Sequence, residues 1–181
     1  MPWVPLSPPV AGYRIEIVPY DPSWPKAYEE ERNRLAQAIG AHVLRFEHMG
    51  STAVPELESK PIIDISAAVA DLSQVPSLFE ALEDLGYTPT EEQANDRFDL
   101  WRMGDKPYPT HILHFMQEGS DAWVRPIIFR NALRADPVLR KEYSDIKHEL
   151  AGACGEDIKK YGHGKTEFIE SVIAEMLDES A

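Results

Sequence analysis

The sequence predicts an α+β protein, a mixed central β-sheet joined to a block of helices in the last third of the chain. Three observations carry this reading. Runs of strand length with alternating or continuous apolar character recur between residues 43 and 117. Glycine and proline punctuate almost every junction between them. From Pro126 onward the apolar residues return at helical spacing, and helices gathered at one end of a chain point to segregated layers.

The elements follow in order. Arg14 to Val18 reads as a short strand. Asp21-Pro22-Ser23 makes a turn that ends in a helix cap, Pro25 suits a first helical turn, and the helix runs to about Ile39 before Gly40 stops it. Residues 43 to 48 alternate as a strand, 49 to 60 form a loop, and 61 to 69 form a nearly unbroken apolar strand. An amphipathic helix is expected over 75 to 85, closed by Gly86. Arg97 to Met103 and Thr110 to Gln117 read as strands joined by a turn containing Gly104-Asp105-Lys106-Pro107. Helices are expected over Pro126 to Arg134, Pro137 to Ala153 and Lys165 to Leu177, with Asp136-Pro137 a cap and first-position pair.

Composition bounds the function. The chain has 181 residues, 43% hydrophobic, enough for one domain with a full core over residues 13 to 181. Residues 1 to 12 carry four prolines and no basic stretch, and are expected to be a flexible leader rather than a signal peptide. The single cysteine, Cys154, rules out an internal disulfide framework, and no apolar run approaches the ~20 residues of a spanning helix. A cytoplasmic protein with no membrane partner is the expectation. The net charge of −13 argues against duplex nucleic acid as a partner, because gripping phosphates along a backbone requires lysine and arginine. Yet Arg125 to Lys165 holds nine of the eighteen basic residues against six acids. Such a local excess suits an anion site for a small phosphorylated ligand.

Chemistry concentrates in residues 48 to 65, where a small-residue loop enters an apolar strand containing Asp64. A carboxylate inside such a strand costs several kcal/mol unless it is paired or lies at an open edge. Gly50 lets backbone approach a ligand closely, while the hydroxyls of Ser51 and Thr52 and nearby amides can hold an anionic oxygen. Lys60, at the strand entrance, is within reach of a phosphate held there. Arg130 and Arg134 share one helix face, as do Tyr143 and Lys147. Arg130 borders the apolar Ile127-Ile128-Phe129 run and is the favoured arginine for phosphate. Tyr161 and Lys165 flank Gly162-His163-Gly164, read as an interhelix loop. Serine hydrolysis and P-loop phosphotransfer lack their signatures, since Gly-x-Ser-x-Gly does not occur and no Gly-Lys-Ser/Thr stands in a Walker-type Gly-x-x-x-x-Gly-Lys-Ser/Thr loop. Cys154 reads as packing.

Gly50-Ser51, followed thirteen residues later by Asp64 in a strand, resembles the signature of the nucleotidyltransferase superfamily. More closely, Gly-Ser-Thr-Ala-Val-Pro from Gly50 and Lys-Pro-Ile-Ile-Asp-Ile from Lys60 resemble the GrpB family. Tyr20, Asp21, Pro22 and Trp24, then Thr110-His111 with Leu113-His114, Phe129-Arg130 with Leu133-Arg134, and Tyr143 with Lys147 agree in order. The resemblance implies a nucleotidyltransferase-like fold and a nucleotide or other phosphorylated small molecule as ligand. It also implies transfer of a nucleotidyl group through a divalent metal, Mg, Mn or Zn, with Asp64 and His114 catalytic. A two-metal site of that kind needs two carboxylates two apart on the strand, and here Ile62 and Ser66 flank Asp64 instead. His48 and His114 are the candidates to complete a metal site with Asp64, and imidazole would turn it toward a transition metal. Two readings stay open: metal-dependent transfer, or a binding module in a degenerate pocket.

Overall fold

The computed structural model describes residues 14 to 90, 94 to 104 and 108 to 178. The expected leader and residues 105 to 107 of the expected turn lie outside them. Helix α1 spans Trp24–Ile39, strand β1 Arg45–Met49, β2 Ile63–Val69, helix α2 Phe79–Glu83, and strands β3 Tyr87–Pro89, β4 Arg97–Met103 and β5 Pro109–Gln117. Helices α3 Asp121–Ala135, α4 Pro137–Cys154, α5 Ile158–Gly164 and α6 Thr166–Asp178 complete the order. The strands form one sheet in the order β1-β2-β5-β4-β3, with β2 and β5 parallel and every other pair antiparallel. The mixed sheet and late helices match the α+β expectation.

Alternation divides the sheet's two faces. Ile63, Ile65, Ala67 and Val69 of β2, Leu100 of β4 and Leu113 and Phe115 of β5 pack with Trp24, Leu35 and Ile39 of α1. The intervening residues, among them Asp64, Ser66, Ile112, His114 and Asp99, look the other way, toward α3 to α6. There Trp123 of α3 closes on Ala68 and Met116. Val54 and Leu57 of the loop, Phe129 and Leu133 of α3, Tyr143 of α4 and Ile169 and Ile173 of α6 form a second apolar cluster. One carboxylate-bearing face is therefore roofed by helices at a distance that leaves a cleft.

Several elements differ from the sequence reading for identifiable reasons. Residues 14 to 18 make only an isolated bridge, Val18 with Ser59, rather than a strand. The helix expected over 75 to 85 is a 3₁₀ stretch at Leu72–Leu78 followed by the five residues of α2. Asp71 caps that stretch by accepting from the Ser73 amide at 2.8 Å, and Pro76 inside it has no amide to extend an α-helix. Helix α3 starts five residues before Pro126 because Ser120 caps it, accepting from the Trp123 amide at 3.3 Å. Strand β3 is three residues long, too short to leave a periodic signal. Residues 158 to 164, read as a loop, form helix α5: Asp157 caps it through the Lys160 amide at 2.9 Å, and Tyr161 and Gly162 are buried.

Leu113 sits on the central strand β5 with no exposed surface. Leu113→Ala is expected to cost about 3 kcal/mol of unfolding free energy, by lost transfer and a residual cavity. Urea denaturation checks this, and a loss below about 1 kcal/mol would show that β5 is not the centre of the core.

Candidate functional site

The Gly-Ser loop owes its shape to Gly50, whose φ of +67° is the left-handed region that L side chains avoid. A Cβ at Gly50 would also collide with the Asp64 carboxylate, so the absent side chain is what lets the loop lie against β2. Two arginines hold this loop from α3. Arg134 donates through Nε and Nη2 to the Ala53 carbonyl at 2.9 and 2.7 Å. Arg130 donates through Nη1 to Glu47 Oε2 and to the His48 carbonyl, both at 2.8 Å. Its guanidinium borders the cleft but is already engaged with β1.

A cavity of about 520 Å³ lies between this loop, the sheet and α3 to α6. Of the residues singled out from sequence, Gly50, Ser51, Lys60, Asp64, Arg130, Tyr143 and Lys147 line it. Three do not. His48 stands opposite Ile65 in the register, hence on the α1 face, where it stacks on Tyr28 at 4.7 Å between ring centroids. Its Nε2 meets Thr52 Oγ1 at 3.1 Å, and Thr52 in turn donates to the Ile62 carbonyl at 3.2 Å. Burial depresses the His48 imidazole to a pKa of about 4, so it is neutral at physiological pH. His48 and Thr52 thus fasten the loop from behind. The third, His114, lies beneath Asp64.

Beneath the cavity runs a buried chain of charges. His114 Nδ1 donates to Asp99 Oδ1 at 2.6 Å, and its Nε2 faces Asp64 Oδ1 at 3.4 Å. Asp99 also accepts from Arg97 Nε at 2.8 Å. Burial alone would depress His114, but Asp99 and then Asp64 outweigh it and raise its pKa to about 9. Burial likewise opposes the charge on Asp99, yet His114 and Arg97 hold that carboxyl below its usual value. His114 is therefore an imidazolium with both N–H groups directed at carboxylates, and it has no lone pair to offer a metal. Among the described residues, no three His, Cys, Asp or Glu side chains converge as metal ligands. The donor set does not fit a two-metal centre.

Lysines dominate the other wall. Lys60 Nζ lies 5.5 Å and Lys165 Nζ 4.5 Å from the centroid of the same ring, Tyr161. Lys147 Nζ lies 5.0 Å from the Tyr143 ring and donates to the Glu58 carbonyl. Ser51 and Tyr143 line the same cavity, and burial raises the Tyr143 phenol well above its usual pKa. Burial, followed by the neighbouring ammonium groups, lowers Lys165 to a pKa of about 7 against the pull of Asp64. Burial lowers Lys147 to about 7 against Glu58, and lowers Lys60 against Asp64. Three ammonium groups are thus held close together around one carboxylate that already has an imidazolium partner.

Sequence reasoning placed Lys165 at the edge of a loop and passed over Asp99. A cation at the start of an amphipathic helix opposes the helix dipole, and that mismatch marks Lys165. Asp99 is marked by the same sign that singled out Asp64, a carboxylate inside the strand run Arg97-Phe98-Asp99-Leu100-Trp101.

The sheet order, the Gly50-Ser51 loop and the carboxylate on the following strand define a nucleotidyltransferase-like fold. Cid1, solved in complex with its short product ApU, shares that fold with a TM-score of 0.51 at 14% identity, over 75% of this chain and 43% of Cid1. The family described as GrpB protein matches residues 14 to 175, and the chain belongs to the GrpB family. It is 34% identical over 160 residues to the UPF0157 protein YqkA of Bacillus subtilis (strain 168), covering 87% of this chain and 46% of YqkA. The crystal structure of conserved protein GrpB from Enterococcus faecalis superposes with a TM-score of 0.82 at 34% identity, over 91% of this chain and 99% of that one.

Two outcomes test this geometry. Gly50→Ala is expected to cost about 2 kcal/mol or more, from the positive φ together with displacement of Asp64, read by urea denaturation. His114, with a folded pKa of about 9 above the usual 6.5, contributes stability that is complete below about pH 6.5 and lost as pH rises through about 9. Lys147 and Lys165 titrate in the opposite sense over part of that range, so the quantity to read is the difference between wild type and His114→Gln. That difference should shrink from pH 6.5 to 9; one that stays constant would show that His114 is not charged in the folded state.

Proposed function

We propose that this protein binds a nucleotide or another phosphorylated small molecule in the cleft between the sheet and helices α3 to α6. The observation that carries the reading is the convergence of Lys60, Lys147 and Lys165 on one cavity whose nearest carboxylate, Asp64, is already compensated by His114. Buried ammonium groups without matching anions are unfavourable, and a phosphate supplies the missing charge. Ser51 and the Gly50 loop offer hydroxyl and backbone contacts at the same end, and Phe129, Leu133, Ile169 and Ile173 line an apolar part for the body of the ligand. The volume of about 520 Å³ falls within the usual range for small-molecule sites. Cid1, which shares the fold, has been solved with MgGTP bound.

A second reading, transfer of a nucleotidyl group, draws support from Asp64, whose carboxylate reaches the cavity beside Gly50. In that reading a substrate hydroxyl attacks the α-phosphorus of a nucleoside triphosphate, its proton passes to Asp64, and the α–β phosphoanhydride bond breaks to release pyrophosphate, whose charge the lysines hold.

Thermal unfolding with a panel of nucleotides separates these. A bound nucleotide at about 100 times its dissociation constant stabilises by about 2.7 kcal/mol and raises the melting temperature. No rise with any nucleotide, with or without Mg²⁺, Mn²⁺ or Zn²⁺, would remove the binding reading. With a bound nucleotide, Asp64→Asn is expected to preserve the thermal shift; turnover that is present in wild type and absent in the variant would favour transfer over binding alone.

A further inference from the structure

We infer that the cleft takes its polyphosphate as the metal-free anion, with Lys60 and Lys165 supplying the counter-charge that a divalent ion supplies elsewhere. The inference deepens the binding reading above and rests on it. It begins at Tyr161, whose ring lies under both ammonium groups, at 5.5 Å from Lys60 Nζ and 4.5 Å from Lys165 Nζ. Lys165 is 5% exposed, and among the described residues neither lysine has a hydrogen-bond acceptor. The face of a tyrosine attracts a cation but satisfies none of its N–H donors. Six donors therefore converge on one corner of the cavity without an oxygen to receive them.

The start of α6 adds to the same corner. Thr166, its first residue, lines the cavity, and its Oγ1 is buried with no hydrogen-bond partner. The first hydrogen bond of this helical turn is from the Ile169 amide to the Lys165 carbonyl, and a helix begins with amides that its own carbonyls cannot satisfy. Those amides and the positive end of the dipole favour an anionic oxygen at the lysine corner. Lys147 stands nearby, but its ammonium already donates to the Glu58 carbonyl, and the Glu58 carboxylate faces outward to Ser144 and His148.

The carboxylates decide between a naked anion and a metal complex. A magnesium-bound polyphosphate brings a cation that needs oxygen ligands from the protein or from water. At this end of the cavity Asp64 is the one carboxylate that interacts with the lysines, and the His114 imidazolium already compensates its charge. Of the other carboxylates that line the cavity, Glu170 pairs with Arg125, while Asp96 stands just before β4 and Asp121 at the start of α3. At the Tyr161 corner a metal ion entering with the ligand would meet two ammonium groups, with Asp64 the one carboxylate that interacts with them. At the same corner the metal-free polyphosphate meets the donors of Lys60, Lys165 and Thr166, and as it arrives it draws Lys165, lowered by burial to about 7, into its charged form.

Calorimetric titration of the full chain with tripolyphosphate and with ATP tests this, once in EDTA and once in excess Mg²⁺. Binding in EDTA that weakens about tenfold or more on adding Mg²⁺, equivalent to 1.4 kcal/mol, is the expected result. Affinity that appears only with Mg²⁺ overturns the inference and leaves the binding reading standing, whereas no heat with any probe in either condition removes both. Lys165→Gln is expected to weaken ATP binding in EDTA by tenfold or more, while leaving the melting temperature of the free protein unchanged or raised, since it removes a buried charge. If that variant fails to fold, Lys60→Gln, at a more exposed position, serves the same purpose. Wild-type affinity in a folded variant at either position overturns the inference.

Discussion

The contact between Asp99 and His114 at 2.6 Å is the constraint on which the floor of the cleft depends. Both side chains are almost fully buried, so neither charge is tolerable without the other. Their pairing is possible because β4 and β5 run antiparallel with Asp99 and His114 as direct partners, which places the two side chains on one face at a short distance. Asp64 then receives the second N–H of the imidazolium from the neighbouring strand β2. Three strands contribute one group each, and the central strand carries the shared cation. A carboxylate that would be costly at the heart of a sheet is thereby paired and placed at the cavity.

The same electrostatic logic separates the arginines from the lysines. Arginine's planar fork satisfies several acceptors at once, and Arg130 and Arg134 spend it on the backbone and acid groups of β1 and the Gly-Ser loop. They make the loop rigid and the cavity wall continuous. Lysine offers a point charge whose pKa falls readily on burial, and Lys147 and Lys165 are both lowered to about 7. The wall built by arginine is structurally saturated, while the wall built by lysine is left with capacity for an anion.

Much of this was legible in the sequence because the strongest signals are local. The carboxylate in the apolar run at Asp64, the small-residue loop before it and the paired positions of Tyr143 and Lys147 all survive as cavity lining. The mixed sheet and the late helices follow from spacing and punctuation, and Ser23 and Asp136 stand at true helix starts, Asp136 capping through its carboxylate and Ser23 by position without a side-chain hydrogen bond. What sequence reasoning lacked was orientation. His48 directly precedes the loop, but strand alternation turns it to the α1 face, where it packs on Tyr28. Arg130 borders the cavity, but its partners Glu47 and His48 lie more than eighty residues away in sequence and were invisible there. Helix α5 was hidden because Gly162 and Gly164 read as loop residues, whereas Gly164 fits because a side chain there would collide with Leu150 of α4.

The lysine wall also bears on how the protein can be monitored. Lys60 lies between the Gly-Ser loop and β2, Lys147 in the middle of α4 and Lys165 at the start of α6, so the three meet only when the sheet and the helical third have docked. A partly folded chain that keeps the sheet but loosens helices α4 to α6 loses Lys147, Lys165 and Tyr161 from the corner without losing its loop. On the proposed binding reading, ligand affinity at this corner is a readout of complete tertiary assembly, and it distinguishes the native ensemble from compact intermediates that retain most of its secondary structure.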